Sequence, residues 1–208
     1  TTHTYDPRGR KERSTAPAAG DGGGAETFGY DDQDDLVTHT DRRGIVHAYR
    51  YDHEHRATRY QRAGITQWTR THDEVGNVRT DTDANNHTTT STYDAANQRK
   101  TSTRNGQTRS WSYTPTNQIE TQTDASGAVT HYDYNLRDQL LKQTNGANET
   151  TTFTVDGDGL QRTRMLDGET WTNTFDAAHR LTGVESPEAH ATSYDYNADD
   201  ALTAITDG

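Results

Sequence analysis

A tyrosine followed by an aspartate returns along the chain at an almost fixed interval, and that period restricts the fold more than any other feature. Aligned on this phrase, the anchors are Tyr5, Tyr30, Tyr51, His72, Tyr93, Tyr113, Tyr134, Val155, Phe175 and Tyr196, with spacings of 25, 21, 21, 21, 20, 21, 21, 20 and 21 residues. The long first interval holds the segment APAAGDGGGA at 16–25, which has the composition of a flexible loop. No other stretch reads as a linker, so 1–208 is expected to be a single repeat array with incomplete units at both ends. Those incomplete units, and a first residue that is Thr1 rather than Met, predict a processed product or a piece of a longer array.

Within each unit the residue types are set by position. The residue after the anchor is Asp or Asn in every unit but one, where it is Thr114. Short carboxylate and amide side chains accept hydrogen bonds from backbone N–H groups two residues on and so start turns. Four residues after the anchors stand Gly9, Asp34, His55, Gly76, Asn97, Asn117, Asp138, Gly159, His179 and Asp200. Each of these is a type that tolerates positive φ, which predicts one left-handed residue at the same place in every turn. By the same logic Gly183, outside that column, is expected to tolerate a side chain better than Gly76 or Gly159.

Both flanks of the turn read as strands. Pairs such as Tyr49 and Tyr51, Trp111 and Tyr113, Tyr132 and Tyr134, and Phe153 and Val155 are two apart and so share a face. Trp68 and Trp171 lie four residues before their anchors, on that same face. Six residues after the anchor the chain is often aliphatic, as at Leu36, Val78, Ile119, Leu140, Leu181 and Leu202. A second turn then follows, as in DRRG (41–44), RNG (104–106), DASG (124–127), TNGAN (144–148) and LDG (166–168). Each unit is therefore strand, turn, strand, turn, with no helical period. The expected fold is all-β: a long antiparallel strip of nearly twenty short strands.

This reading resolves a conflict in the composition. Hydrophobic residues make up 27% of the chain and the net charge is −11, values that by themselves indicate disorder. Against that stand 38 threonines, 11 tyrosines and 3 tryptophans, which favour strands. A repeat array needs no central core, because each unit is expected to bury a thin aromatic stripe against its neighbours.

The chemistry that can be ruled out follows quickly. Without cysteine there is no disulfide and no thiolate ligand or nucleophile. No apolar run is long enough for a membrane span, and no signal peptide is visible. The acidic balance disfavours nucleic acid and anionic membranes, and it suits an extracellular setting. Calcium loops are suggested by Asp81, Asp83 and Asn85, by VDGDG (155–159) and by DDQDD (31–35), but EF-hand positions that require Gly and Glu are Asn86 and Thr92. Turns are the favoured reading, with weak calcium binding as the alternative. His53 and His55, with His39 and His47 nearby, are a candidate metal cluster, disfavoured because His55 is already explained by its turn and spacing fixes no third ligand. No catalytic constellation, cofactor motif or phosphate loop is found.

Units such as YDAANQRKTSTRNGQ (93–107), FDAAHRLTGV (175–184) and YDPRGRKERST (5–15) resemble the YD-repeat or Rhs-repeat family, and the resemblance covers essentially the whole chain. His72, Val155 and Thr114 depart from its pattern. The family includes bacterial Rhs polymorphic toxins, insecticidal toxin complexes, wall-associated proteins and teneurins. Its repeats form a β-sheet strip that spirals into a hollow shell, which in bacterial members encloses a toxin polypeptide. The family's self-cleavage motif DPxGL is matched in part by Asp6-Pro7-Arg8-Gly9, but Arg10 replaces the leucine, and a proline-containing turn is the favoured reading.

The resemblance implies a non-enzymatic, secreted or cell-surface segment of a shell. Its partners would be the rest of an array, or copies of itself paired through open strand edges, and an enclosed toxin. Two rival functions are an extracellular fibre or adhesin and a carbohydrate-binding module that stacks glycans on the aromatic stripe.

Overall fold

The computed structural model describes residues 1–16 and 24–208, so most of the 16–25 insert lies outside the described residues. The chain divides into two compact units, Thr1–Thr108 and Arg109–Gly208. The first holds β1 (Thr2–Tyr5), β2 (Lys11–Thr15), β3 (Ala25–Tyr30), β4 (Leu36–Thr40), β5 (Val46–Tyr51), β6 (Ala57–Arg62), β7 (Ile65–His72), β8 (Val78–Asp83), β9 (Thr88–Tyr93) and β10 (Arg99–Arg104). From β11 (Gln107–Tyr113) the chain continues through β12 (Ile119–Thr123), β13 (Val129–Tyr134), β14 (Leu140–Thr144), β15 (Thr150–Val155), β16 (Gln161–Leu166), β17 (Glu169–Phe175), β18 (Leu181–Glu185), β19 (Ala191–Tyr196) and β20 (Leu202–Asp207). In the first unit β1 to β10 each pair antiparallel with the next, and in the second β11 to β20 do the same.

All ten anchors end an odd-numbered strand. Each pairs with the residue six positions on, as in Tyr30↔Leu36, Tyr134↔Leu140 and Tyr196↔Leu202, and the register then slips by one residue. The slip is a β-bulge that leaves the seventh residue after the anchor without an opposite number. A period of 21 therefore contains one bulge and two turns, and the bulge keeps the aromatic positions of successive units on one face.

The two faces carry different chemistry. One presents rings and charged side chains. The other is built from threonines that meet across strands: Thr71 and Thr80 at 2.7 Å, Thr82 and Thr88 at 2.8 Å, Thr92 and Thr101 at 2.6 Å, and Thr154 and Thr163 at 2.7 Å between hydroxyl oxygens. Among the described residues no hydrophobic side chain is buried, and only Ser14 and Ser91 are buried polar ones. The aromatic stripe is thus half-covered rather than buried as the sequence suggested. The physical reason is that within each unit, among the described residues, strands contact only their sequence neighbours, so no second layer of the same unit lies over the rings. Backbone ladders and side-chain links between repeats carry the order instead.

Candidate functional site

Every turn after an anchor is built alike. At Asp6 the backbone N–H donates to the Arg10 carbonyl (2.9 Å), and the carbonyl accepts from the Gly9 N–H (2.9 Å). Its Oδ1 accepts from the N–H groups of Arg8 and Arg10, both at 2.9 Å. The same set recurs at Asp31, Asp52, Asp73, Asp94, Asn135, Asp156, Asp176 and Asn197. Thr114, one atom poorer, keeps only the bond from Gln118 N–H to its hydroxyl among these two (3.1 Å). The residue four after each anchor has positive φ: 79° at Gly9, 71° at Asp34, 62° at His55, 97° at Gly76, 62° at Asn97, 69° at Asn117, 60° at Asp138, 87° at Gly159, 64° at His179 and 61° at Asp200. A left-handed residue is what lets the chain reverse here and still re-enter the ladder.

Two kinds of clamp join one repeat to the next. The anchor hydroxyl donates to the carbonyl of the paired position in the preceding repeat: Tyr30 to Lys11 (3.0 Å), Tyr51 to Leu36 (3.0 Å), Tyr93 to Val78 (3.0 Å), Tyr134 to Ile119 (2.9 Å) and Tyr196 to Leu181 (2.9 Å). The phenol is therefore used at both ends, ring against the sheet and hydroxyl on backbone. Phe175 has no hydroxyl, and the corresponding carbonyl, on Gln161, accepts instead from Asn173 Nδ2 (3.1 Å).

The second clamp is an arginine five residues after the anchor. Arg10 binds its own Asp6 through Nε (2.7 Å) and reaches the next turn through Nη1, to the Asp31 carbonyl (3.1 Å) and Asp34 Oδ1 (2.5 Å). Arg56 joins Asp52 to the Asp73 carbonyl, and Arg180 joins Asp176 to the Asn197 carbonyl and Asp200. Asn77 repeats the link with an amide, binding Asp73 and Asn97, both at 3.0 Å. Arg10 and Arg180 also lie over the next anchor ring, 4.6 Å from Tyr30 and 4.9 Å from Tyr196. Sequence reasoning missed this column, although Arg10, Arg56 and Arg180 stand at one fixed offset and would have revealed it.

These bonds set the charge of the turns. Burial pushes the Asp52 carboxyl up, but the N–H groups of Arg56 and Glu54 and the Arg56 guanidinium outweigh it and hold the pKa at about 2. Hydrogen bonds from Arg180 lower Asp176 in the same direction, and Asp6 is held down by Arg10 and Arg8 against the effect of its burial.

The candidate metal residues fall into separate environments. His55 Nδ1 lies 2.8 Å from Asp35 Oδ2, and His53 stands beside Glu54. His39 and His47 stack on each other, ring centroids 5.4 Å apart, and His47 Nδ1 meets the Tyr60 hydroxyl at 2.8 Å. Asp81 pairs with Arg70 (3.2 Å), and Asp83 opens a turn through His87 and Asn86 while holding Arg104 (2.5 Å). Among the described residues no three His, Asp or Glu side chains converge as metal ligands. Asp6–Arg10 is a turn like the other nine.

Several rings on the aromatic face are engaged by one another or by cations. Across β3 to β7 run Phe28, His39, His47, Tyr60 and Trp68, with centroid spacings of 4.8, 5.4, 5.9 and 6.1 Å. Arg70 lies 4.2 Å over Trp68, and Arg164 lies 4.0 Å over Trp171. A guanidinium on an indole competes with any sugar for that face. Beside Trp68 an open trough of about 630 Å³ is bordered by Arg70, Asp81, Asp83, Arg99 and Arg104.

Residues 175–208 match the family model described as RHS Repeat. Residues 175–208 carry an RHS repeat. No curated protein matches it by sequence. Among solved structures, the chain superposes on TcdB2-TccC3-TEV with a TM-score of 0.72 at 11% identity, over 96% of this chain and 12% of that one. TcdB2-TccC3-Cdc42 matches with a TM-score of 0.62 at 14% identity, over 97% of this chain and 16% of that one. A Photorhabdus luminescens Tc holotoxin pore carrying a TccC3 mutation matches with a TM-score of 0.60 at 15% identity, over 99% and 16%. At these identities the likeness is one of fold, and the chain spans 12–16% of the length of these solved chains.

Proposed function

We propose that this chain is a non-enzymatic wall segment of an RHS-repeat shell that encloses a polypeptide, a toxin being the class of cargo, in a secreted or cell-surface particle. The observation that carries the reading is the clamp between repeats. Tyrosine hydroxyls and arginine side chains tie many of the repeats to their neighbours without a hydrophobic core among the described residues, so the strip can be lengthened unit by unit and serve as wall material. Several ring faces are engaged in stacking or by guanidiniums, and the carboxylates that follow the anchors are engaged in turns and by arginines, which supports the wall reading. Its partners in this reading are the remaining repeats of the array and the enclosed chain.

Electron microscopy of the native particle that contains this segment tests the proposal. Closed hollow bodies with density inside are the expected result. Long regular fibres with the repeats along their axis would overturn enclosure and leave a structural filament.

A further inference from the structure

The dipeptide Asn-Gly occurs twice, at Asn105-Gly106 and at Asn145-Gly146, and the two copies have opposite surroundings. Asn105 and Gly106 form a two-residue turn after β10, with φ of 52° and 74°. Asn105 is exposed and its side chain has no hydrogen-bond partner among the described residues, and open space surrounds the Gly106 α-carbon on its side-chain side. Asn145 is held instead. Its Oδ1 accepts from the N–H groups of Ala147 (2.9 Å) and Glu149 (3.0 Å), and its Nδ2 donates to Glu149 Oε2 (2.6 Å). Gly146 packs so closely that an added Cβ would stand 2.7 Å from the Ala128 Cβ.

We propose that Asn105 is a site of spontaneous covalent modification, at which the side-chain amide is lost and the turn backbone is rewritten, whereas Asn145 is protected. The Gly106 nitrogen gives up its proton to solvent base and attacks Asn105 Cγ. The Cγ–Nδ2 bond breaks, the nitrogen leaves as ammonia, and a five-membered succinimide forms. Water then adds to one of the two ring carbonyls and yields aspartate or isoaspartate. No oxidation or reduction takes place, and water is the only co-reactant. The attack requires the side chain to swing over its own backbone and the glycine nitrogen to be open. The side chain is free to swing at Asn105, whereas three hydrogen bonds hold it at Asn145.

The product changes the molecule locally. It adds a negative charge to a chain already at −11, and the isoaspartate form lengthens the backbone of a two-residue turn by one atom. That turn sits directly beside the Thr103–Thr108 hydroxyl contact at 2.8 Å, which depends on the turn's present length.

The test is to incubate the whole protein at mildly alkaline pH, digest it at intervals, and follow both peptides by mass spectrometry. Isoaspartate is counted by methyl transfer from a protein-isoaspartate methyltransferase. Three hydrogen bonds must break at Asn145 and none at Asn105, so Asn105 is expected to convert roughly tenfold faster or more. Glu149→Ala, which removes one restraint, should speed conversion at Asn145 and leave Asn105 unchanged. Equal rates at the two sites would overturn the proposal. So would faster loss at Asn145, or no conversion at Asn105 while a free peptide of the same sequence converts.

Discussion

The two units use one repeat but cover their rings differently. In Thr1–Thr108, five rings from five consecutive strands lie side by side, and Tyr49 adds a sixth at 5.1 Å from Tyr60. Guanidiniums lie over rings in both units, Arg10 on Tyr30 and Arg70 on Trp68 in the first, and Arg164 on Trp171, Arg162 on Phe175 and Arg180 on Tyr196 in the second. What the first adds is the row of stacked rings. The difference comes from what stands opposite each ring in the register. Trp68 faces Asp83 on one side and Tyr60 on the other, whereas Trp171 faces Arg164. An array without a core can thus cover an aromatic stripe with more aromatics or with the flat, weakly hydrated side chain of arginine.

The comparison breaks most directly at its centre. Tyr60→Ala removes a ring that touches His47, Tyr49 and Trp68, and should cost about 2–4 kcal/mol, a little under a fully buried aromatic. Trp171→Ala should cost less, about 1–2 kcal/mol, because a half-exposed ring under a guanidinium has fewer neighbours to lose. Thermal melts of both variants decide this, and a greater loss at Trp171 would contradict the distinction between ring stacks and cation covers.

Turns should not distinguish the units. Gly76→Val in the first and Gly159→Val in the second each force an L-residue to positive φ, for about 1–2 kcal/mol apiece, and at Gly159 the Gln139 side chain, 2.6 Å from the new Cβ, must also move aside. Gly183, expected to be the tolerant control, is not one. Its Cβ would stand 2.7 Å from Thr174 Oγ1, so Gly183→Val should also destabilise, through packing rather than φ. Gly127, at φ 89° with open space around it, should isolate the φ penalty when changed to Ala.

Clamps should give a smaller effect. Tyr134→Phe strips the donor from the Ile119 carbonyl and should cost about 1 kcal/mol. Phe175→Tyr should gain almost nothing, because Asn173 already occupies the Gln161 carbonyl. If Phe175→Tyr stabilises as much as Tyr134→Phe destabilises, the hydroxyl clamp is not the limiting bond. The smallest effect at ordinary pH is electrostatic. Asp52 is lowered from 3.8 to about 2, so its contribution is present above 3.8 and is lost as pH falls through about 2. Circular dichroism between pH 7 and pH 5 should stay flat, and Asp52→Asn should remove part of the acid transition below pH 4.

The period and the left-handed column were legible because they are local. Asp94 must cap and Asn97 must reverse the chain whatever lies across the sheet. The purpose of the tyrosine was not legible, because its hydroxyl acts on a carbonyl 15 residues back in Tyr51 and 19 back in Tyr30. That link requires the register, which depends on a one-residue bulge with no residue signature of its own. The stack of Phe28, His39 and His47 was hidden for the same reason, as was the crowding at Gly183. The histidines read as a possible ligand set and stand instead as ring partners and turn residues.

The slipped pairing beside each anchor also has a mechanical consequence. Strands that touch only their neighbours resist pulling along the chain one ladder at a time, so force on one end should peel a unit hairpin by hairpin. At most repeats with a tyrosine anchor the peeling front meets its hydroxyl bond and, in several repeats, an arginine bridging two turns. Under tension the strip should yield as a series of small, evenly spaced steps, each about one repeat of released chain, and should rezip from any repeat that stays paired.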